Sequence, residues 1–216
     1  MIKIEHLEVW GFRGAIRGMR NPMDSWHKLD TTFDEHGNVI KLGSNDASLM
    51  LRLKTAGTDH RKYLRMIHIQ CDVTAPLYFW KDYDSYKVST VSNSCSTMHK
   101  IHAYEINQSM FSTEDLDEIG LNVLQTTIDY MNYYREIYIT SGMKDKTAWR
   151  KMIQMLPTSY NQKRTIDINY ETLLNIFGSR SNHKLQEFRD FCAILKKELP
   201  YIAALFEGVT PCEKEE

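Results

Sequence analysis

Residues 66–74 alternate apolar and polar side chains with a period of two, placing Ile67, Ile69, Cys71 and Val73 on one face and His68, Gln70 and Asp72 on the other. This is the signature of a strand with one buried face. Residues 2–10 (IKIEHLEVW) repeat the pattern, and Gly11 with Gly14 marks a turn after them. Other stretches have helical spacing. Between about 113 and 140 apolar side chains recur at Leu121, Leu124, Ile128, Met131 and Tyr138, and Ser112 with Asp115 has the spacing of a capping box. A helix of that length runs ~40 Å at ~1.5 Å per residue.

The rest of the pattern fills in around these elements. DEHGN at 34–38 reads as a loop or hairpin tip. Asn45-Asp46 is placed to cap a helix over 46–56 that stops at Gly57. Pro76 suits the first turn of a helix carrying Tyr78, Phe79, Trp80 and Tyr83. Helices are expected at 145–155, 170–179 and 183–199, with a short strand at 165–168. In the last helix Leu185, Phe188, Cys192, Leu195 and Leu199 form a core-facing stripe that Pro200 ends. Strands and helices are mixed without regular alternation, so the fold class is α+β.

A chain of 216 residues can form one large domain or two small ones. We read a single domain over 1–212 with a loose tail at 213–216. The 27 Lys+Arg against 28 Asp+Glu leave a formal net charge of -1, which argues against a nucleic-acid or membrane-surface partner. Any anion binding must be local. Runs of about 18 apolar residues are absent, and the N-terminus lacks signal-peptide order, so the expected location is cytoplasmic. Cys71, Cys95, Cys192 and Cys212 form no C-x-x-C pair and read as reduced thiols.

Two segments, 59–100 and 156–191, crowd cations, amides, hydroxyls and rings as a phosphate-bearing, ring-containing ligand requires. Arg61, Lys62 and Arg65 stand at the mouth of the strand at 66–74, with Lys81 and Lys87 flanking the aromatic cluster that follows. These cations suit phosphates, and Trp80, Tyr83 and Tyr86 suit stacking on a base or flavin. The competing reading is a solvated basic edge beside an aromatic core. His60, His68, His99 and His102 lack metal-ligand spacing, so no metal is expected. The polar run at 92–99 reads either as a serine-rich turn or as a loop or helix start facing an anion. Cys95 at its centre is either a nucleophile or a structural thiol. Asn169, Asn175, Arg180 and His183 would put amides and an arginine near the ends of the helix at 170–179.

With these residues assembled, the chain resembles the flavin-dependent thymidylate synthases, also called thymidylate synthase complementing proteins, as a divergent branch. Three stretches carry the resemblance, in the family's order, over roughly residues 15–206. AIRGMRNPMD at 15–24 resembles the A-x-R-x-x-R segment and brings in Arg17 and Arg20. His60 to Thr97 aligns without gaps with the strand-proline-helix region and the signature R-H-R-x-x-S-x-N-E-x-S-x-R. Leu156-Pro157, Asn169, Asn175, Arg180, His183, Glu187 and Arg189 match the C-terminal pattern.

The signature is eroded. Its R-H-R positions hold Ser85, Tyr86 and Lys87, its first serine is Thr90, and its N-E pair is Ser92-Asn93. Cys95 takes the second serine and Thr97 the final arginine, while a shift of one residue puts Asn93 on the asparagine and Ser96 on the serine. Glu171 stands where the family has a flavin-contacting arginine. Ile153 replaces a phosphate-binding arginine, with Arg150 and Lys151 beside it. Lys62, Arg65, Lys81 and Arg164 are the cations available to restore the lost charge.

The resemblance implies the thymidylate synthase-complementing-protein fold, a mixed twisted sheet packed with long helices, in a homotetramer with flavin sites shared between subunits. It implies FAD as cofactor, with NADPH and methylenetetrahydrofolate as co-substrates for reductive methylation of dUMP or a related pyrimidine nucleotide. His60, Lys62, Tyr86, Lys87, Asn169, Asn175 and His183 would then bind flavin. Asp82, Asn93, Cys95, Thr97 and Arg180 would bind substrate, with Arg180 the catalytic group polarising the uracil ring. The alternative is a non-catalytic nucleotide-binding or assembly protein on the same fold.

Overall fold

The computed structural model describes residues 2–211; Cys212 and the tail at 213–216 lie outside the described residues. The α+β expectation holds. The elements in chain order are β1 (Lys3–Trp10), α1 (Phe12–Met19), β2 (Thr32–Phe33), β3 (Val39–Lys41), α2 (Ser44–Thr55), β4 (His68–Pro76), α3 (Leu77–Tyr83), β5 (Thr90–Ser94), α4 (Thr97–Lys100), α5 (Glu118–Thr140), α6 (Lys146–Met155), β6 (Asn161–Asn169), α7 (Tyr170–Arg180), α8 (Gln186–Glu198) and α9 (Ile202–Glu207). A four-stranded sheet has the order β1-β4-β6-β5, and β2 pairs with β3 as a separate antiparallel hairpin. The hairpin tip falls within DEHGN as expected, with Asn38 N–H donating to Asp34 Oδ1 at 2.8 Å. No helix among the described residues is long and apolar enough to cross a membrane.

The described residues fall into two compact units, each drawn from three stretches of chain. Among the described residues one comprises 2–3, Val73–Ser85 and Asn93–Arg164; the other comprises Ile4–Asp72, Tyr86–Ser92 and 165–211.

In the second unit, the alternation in β4 does what its pattern requires: Ile67, Ile69 and Cys71 are at most 1% exposed. The polar face pairs with β6 through Gln70 and Asp167 at 3.0 Å and through Thr165 and Asp72 at 2.6 Å, so the two strands run antiparallel. The core beneath holds Tyr63, Leu64, Tyr170, Leu173, Phe177, Phe188 and Phe191, all at most 2% exposed. Each such side chain contributes about 1.5–3 kcal/mol by leaving water. Burial also pushes the Cys71 thiol up to about 12 and the Cys192 thiol up to about 11, so neither is a nucleophile at neutral pH.

The turn expected after β1 is compressed into Gly11 alone, and Gly14 lies inside α1. Phe12, Ala15, Ile16 and Met19, spaced three or four apart, form the buried face of that helix. Gly11 has φ +98, and a Cβ there would lie 2.0 Å from the Met66 carbonyl oxygen. Gly11→Ala is therefore expected to destabilise the protein by more than about 1 kcal/mol in chemical denaturation.

Asp46 was expected to cap α2 and instead lies inside, fully buried. Its carboxylate accepts Arg20 Nε at 2.7 Å, Thr31 N–H at 2.9 Å and Thr31 Oγ1 at 2.7 Å. The cap comes from across the chain, because Asp30 accepts the N–H groups of Asn45 at 2.9 Å and Asp46 at 3.0 Å. Burial works against the charge of Asp30, yet these amides outweigh it and hold the carboxyl below its usual range.

In the first unit the long helix starts later than the capping-box reading placed it. Ser112 is occupied elsewhere, donating its N–H to Ser159 O and its hydroxyl to Asn161 Oδ1, both at 2.9 Å. Asp117 caps α5 by accepting Gly120 N–H at 2.8 Å. The expected spacing of Leu124, Ile128 and Met131 is borne out, and these residues pack with Ile101, Ile106 and Phe111. Strand β6 extends beyond the expected 165–168 to Asn161–Asn169; its first half, Asn161 to Arg164, is polar throughout and carries no apolar alternation that would reveal it.

Candidate functional site

Several of the expected site residues meet in the second unit around α7. Glu171, Asn175 and Ser179 are four apart and so share a face of the helix. Asn169 caps that helix, its side-chain oxygen accepting Thr172 N–H at 2.9 Å, and is itself 2% exposed. This fixes where the rest of the face points.

At the first turn of α7, Glu171 engages two guanidinium groups from the tight turn Arg61–Met66. Arg61 Nε lies 2.9 Å from Oε1, while Arg65 donates through Nε to Oε2 and through Nη2 to Oε1 at 3.2 Å. Burial of Glu171 opposes its charge, but the hydrogen bonds and positive charges of Arg65 and Arg61 outweigh that and hold its carboxyl below the usual range. The same pairing pushes the Arg65 guanidinium up. Arg61 also reaches Asn175 Oδ1 at 3.5 Å.

At the last turn of α7, Ser179 and the Tyr86 hydroxyl are 2.8 Å apart, and Arg180 Nε donates to the same hydroxyl at 2.9 Å. The Arg180 guanidinium carbon sits 5.1 Å from the Phe188 ring centre and 5.6 Å from that of Tyr86. A planar cation is thus held between two rings and a hydroxyl, which fixes its plane. His183 closes the turn after α7, its ring 5.2 Å from Phe188 and its Nδ1 accepting Leu185 N–H at 3.3 Å.

The structure brings together Tyr86, Asn175, Arg180 and His183 from the expected set, with Asn169 bracing them. His60 precedes the Arg61–Met66 turn, and Lys62 and Lys87 are exposed. Arg20, suggested by the resemblance, is 3% exposed and engaged by Asp46, whereas Arg17 is exposed on α1. The side chains that sequence reading missed are Ser179 and Phe188, together with the role of Glu171. The spacing of 171, 175 and 179 signals that shared face, but Phe188 looked only like a core residue.

Asp82, Asn93, Cys95 and Thr97 lie in the first unit. Asp82 is half-buried on α3, Asn93 is exposed on β5, and Thr97 opens the short helix α4. The run at 92–99, read as a loop or helix start, begins as the edge strand β5. The amide of Cys95 is used there, donating to Lys163 O at 2.9 Å, so it is not offered to an anion. The Cys95 thiol is exposed.

The aromatic cluster resolves in favour of a core. Trp80 and Tyr83 are 1% and 2% exposed, and Trp80 Nε1 donates to Gln162 O at 2.9 Å, so neither is a stacking platform. Arg164 lies 4.4 Å from the Trp80 ring centre and donates to Asp84 Oδ1 at 2.8 Å. Lys151 donates to the Tyr134 hydroxyl at 3.0 Å. Arg65, Arg164 and Lys151, considered as replacements for lost arginines, are all engaged within their own unit. Among the described residues no cluster of His, Cys, Asp and Glu could hold a metal ion.

The fold defined by this sheet and these helices is that of the flavin-dependent thymidylate synthases. Two solved structures of that enzyme, ThyX from Helicobacter pylori, both with FAD and dUMP, are similar to this chain. One matches with TM-score 0.69 at 18% identity, covering 100% of both chains. The other matches with TM-score 0.67 at 16% identity, covering 96% of this chain and 99% of its own. No family model and no curated protein matches the sequence.

Proposed function

We propose that the chain is a flavin-dependent thymidylate synthase-like enzyme that methylates C5 of dUMP, or of a closely related pyrimidine nucleotide, using methylenetetrahydrofolate, FAD and NADPH. The observation that carries this reading is Arg180, whose guanidinium is oriented by Tyr86 and Phe188 at the end of α7. Methylation at C5 requires negative charge to build up on the pyrimidine. A fixed guanidinium beside a ring carbonyl stabilises that charge more in the transition state than in the bound substrate. The Helicobacter pylori enzyme of the same fold, solved with FAD and dUMP, supports the choice of cofactor and substrate.

The donor set suits a flavin: Tyr86 supplies a ring, Asn175 an amide, and Lys62 and Lys87 positive charge. Under this reading Tyr86, Asn175, His60 and His183 hold the flavin ring, Lys62 and Lys87 face its phosphates, and Asn169 acts by fixing the start of α7. Bound FAD supplies hydride transfer from NADPH. The substrate contacts of Asp82, Asn93, Cys95 and Thr97 rest on the family resemblance, as does a homotetramer with shared flavin sites. Titration of the purified protein with FAD, followed by flavin absorbance and fluorescence, is expected to show saturable binding. An unchanged flavin spectrum contradicts the proposal.

One observation favours a second reading, in which the chain binds a nucleotide without turning it over. Glu171 neutralises one of the two positive charges contributed by Arg61 and Arg65. Growth of thymidine-requiring cells restored by this chain, and lost with Arg180→Ala, excludes that reading.

A further inference from the structure

Two arginines facing one carboxylate leave a single net positive charge at the first turn of α7, where a helix N-terminus also favours an anion. Glu171 already fills that role. Its side chain is 13% exposed, against 24% for Arg61 and 48% for Arg65, so the carboxylate is the most enclosed member of the trio and the guanidinium groups lie outside it. Both Glu171 oxygens accept from Arg65, and Oε1 is shared with Arg61. Beyond Glu171, Arg65 Nη2 donates to Thr58 O at 3.2 Å, and Arg61 makes the long approach to Asn175. An incoming diphosphate meets a cation pair already held by Glu171.

We infer that Glu171 is a specificity-determining residue, an internal counter-anion that competes with the phosphates of a ligand for Arg61 and Arg65. The inference rests on the flavin reading of this site and deepens it. Charge-assisted bonds from a guanidinium to a phosphate or a carboxylate are of similar strength. A ligand phosphate therefore gains little by displacing Glu171, so the Arg61–Arg65 pair disfavours phosphates and leaves those of the flavin to Lys62 and Lys87. Replacing the carboxylate with a neutral group of the same shape turns the pair into an open dication. Discrimination then disappears through one atom exchange, with the helix and its cap unchanged.

The test uses inorganic pyrophosphate as the probe, titrated calorimetrically into the full chain at fixed ionic strength. Glu171→Gln is expected to bind pyrophosphate at least tenfold more tightly than the native protein, and the gain is expected to vanish in the triple variant E171Q/R61M/R65M. Equal or weaker binding by E171Q overturns the inference, as does a gain that survives in the triple variant. Glu171→Ser, a residue well tolerated in a first helical turn, repeats the measurement if E171Q does not fold. If neither variant folds, Glu171 is a structural brace and the inference fails. Because pyrophosphate carries no flavin, the outcome is separate from the FAD titration: loss of flavin binding sinks the proposed function, whereas an unchanged pyrophosphate affinity sinks only this role of Glu171.

Discussion

Asp46→Ala is expected to lower the melting temperature by about 6–20 °C, because it strands the Arg20 guanidinium in the core. Arg20 and Asp46 side chains are 4% and 0% exposed, and Nη2 of Arg20 stands 2.7 Å from Oδ1 of Asp46. Removing one member of such a pair costs about 3–5 kcal/mol, since the remaining charge stays buried without compensation. For a chain of this size each kcal/mol moves the midpoint by about 2–4 °C. The loss is aggravated because Asp46 also accepts from the amide and hydroxyl of Thr31, and this hydroxyl in turn accepts Gly43 N–H at 3.1 Å. Glu198→Ala, which removes a solvent-exposed partner of Lys197, serves as the control and should leave the midpoint nearly unchanged. A fall of less than about 3 °C in Asp46→Ala contradicts the picture of a desolvated pair.

Arg180→Ala is expected to reduce turnover of dUMP by about 10²–10³-fold, the usual consequence of removing one charge-stabilising donor from a reacting centre. Arg180 is half-buried at the end of α7, so the variant should fold and keep its melting temperature within a few degrees. Arg180→Lys is not expected to rescue, because an ammonium lacks the planar fork that Tyr86 and Phe188 orient. Tyr86→Phe removes only the hydroxyl and should give a smaller loss than Arg180→Ala. If Arg180→Ala raises KM and leaves kcat untouched, Arg180 only binds the nucleotide and the charge-stabilising role is wrong.

Periodicity made the framework legible in the sequence. The alternation in β4 and the stripes in α5 and α8 follow directly from burial on one face, and each appears where its spacing places it. Local rules failed where a distant residue supplied the partner. Ser112 has the right chemistry for a cap yet bonds Asn161, 49 positions away, and Asp46 turned inward to meet Arg20. Helix α1 was missed because Gly11 and Gly14 looked like one turn, whereas only Gly11 has a positive φ. At the candidate site, Tyr86, Asn175, Arg180 and His183 were legible through the C-terminal motif and the ordered alignment. The pairing of Glu171 with Arg61 and Arg65 was not, because 110 and 106 positions separate the partners and no spacing rule spans that distance.

Catalysis at C5 is tested most directly by tritium release from dUMP labelled at that carbon, in the presence of FAD, NADPH and methylenetetrahydrofolate. Methylation there must expel the C5 hydrogen, so the readout follows the reaction itself and is separate from binding. We predict protein-dependent release that requires the folate and is lost in Arg180→Ala. Saturable binding of FAD and dUMP with no release of tritium would contradict the enzymatic account and leave a nucleotide-binding protein built on the same fold.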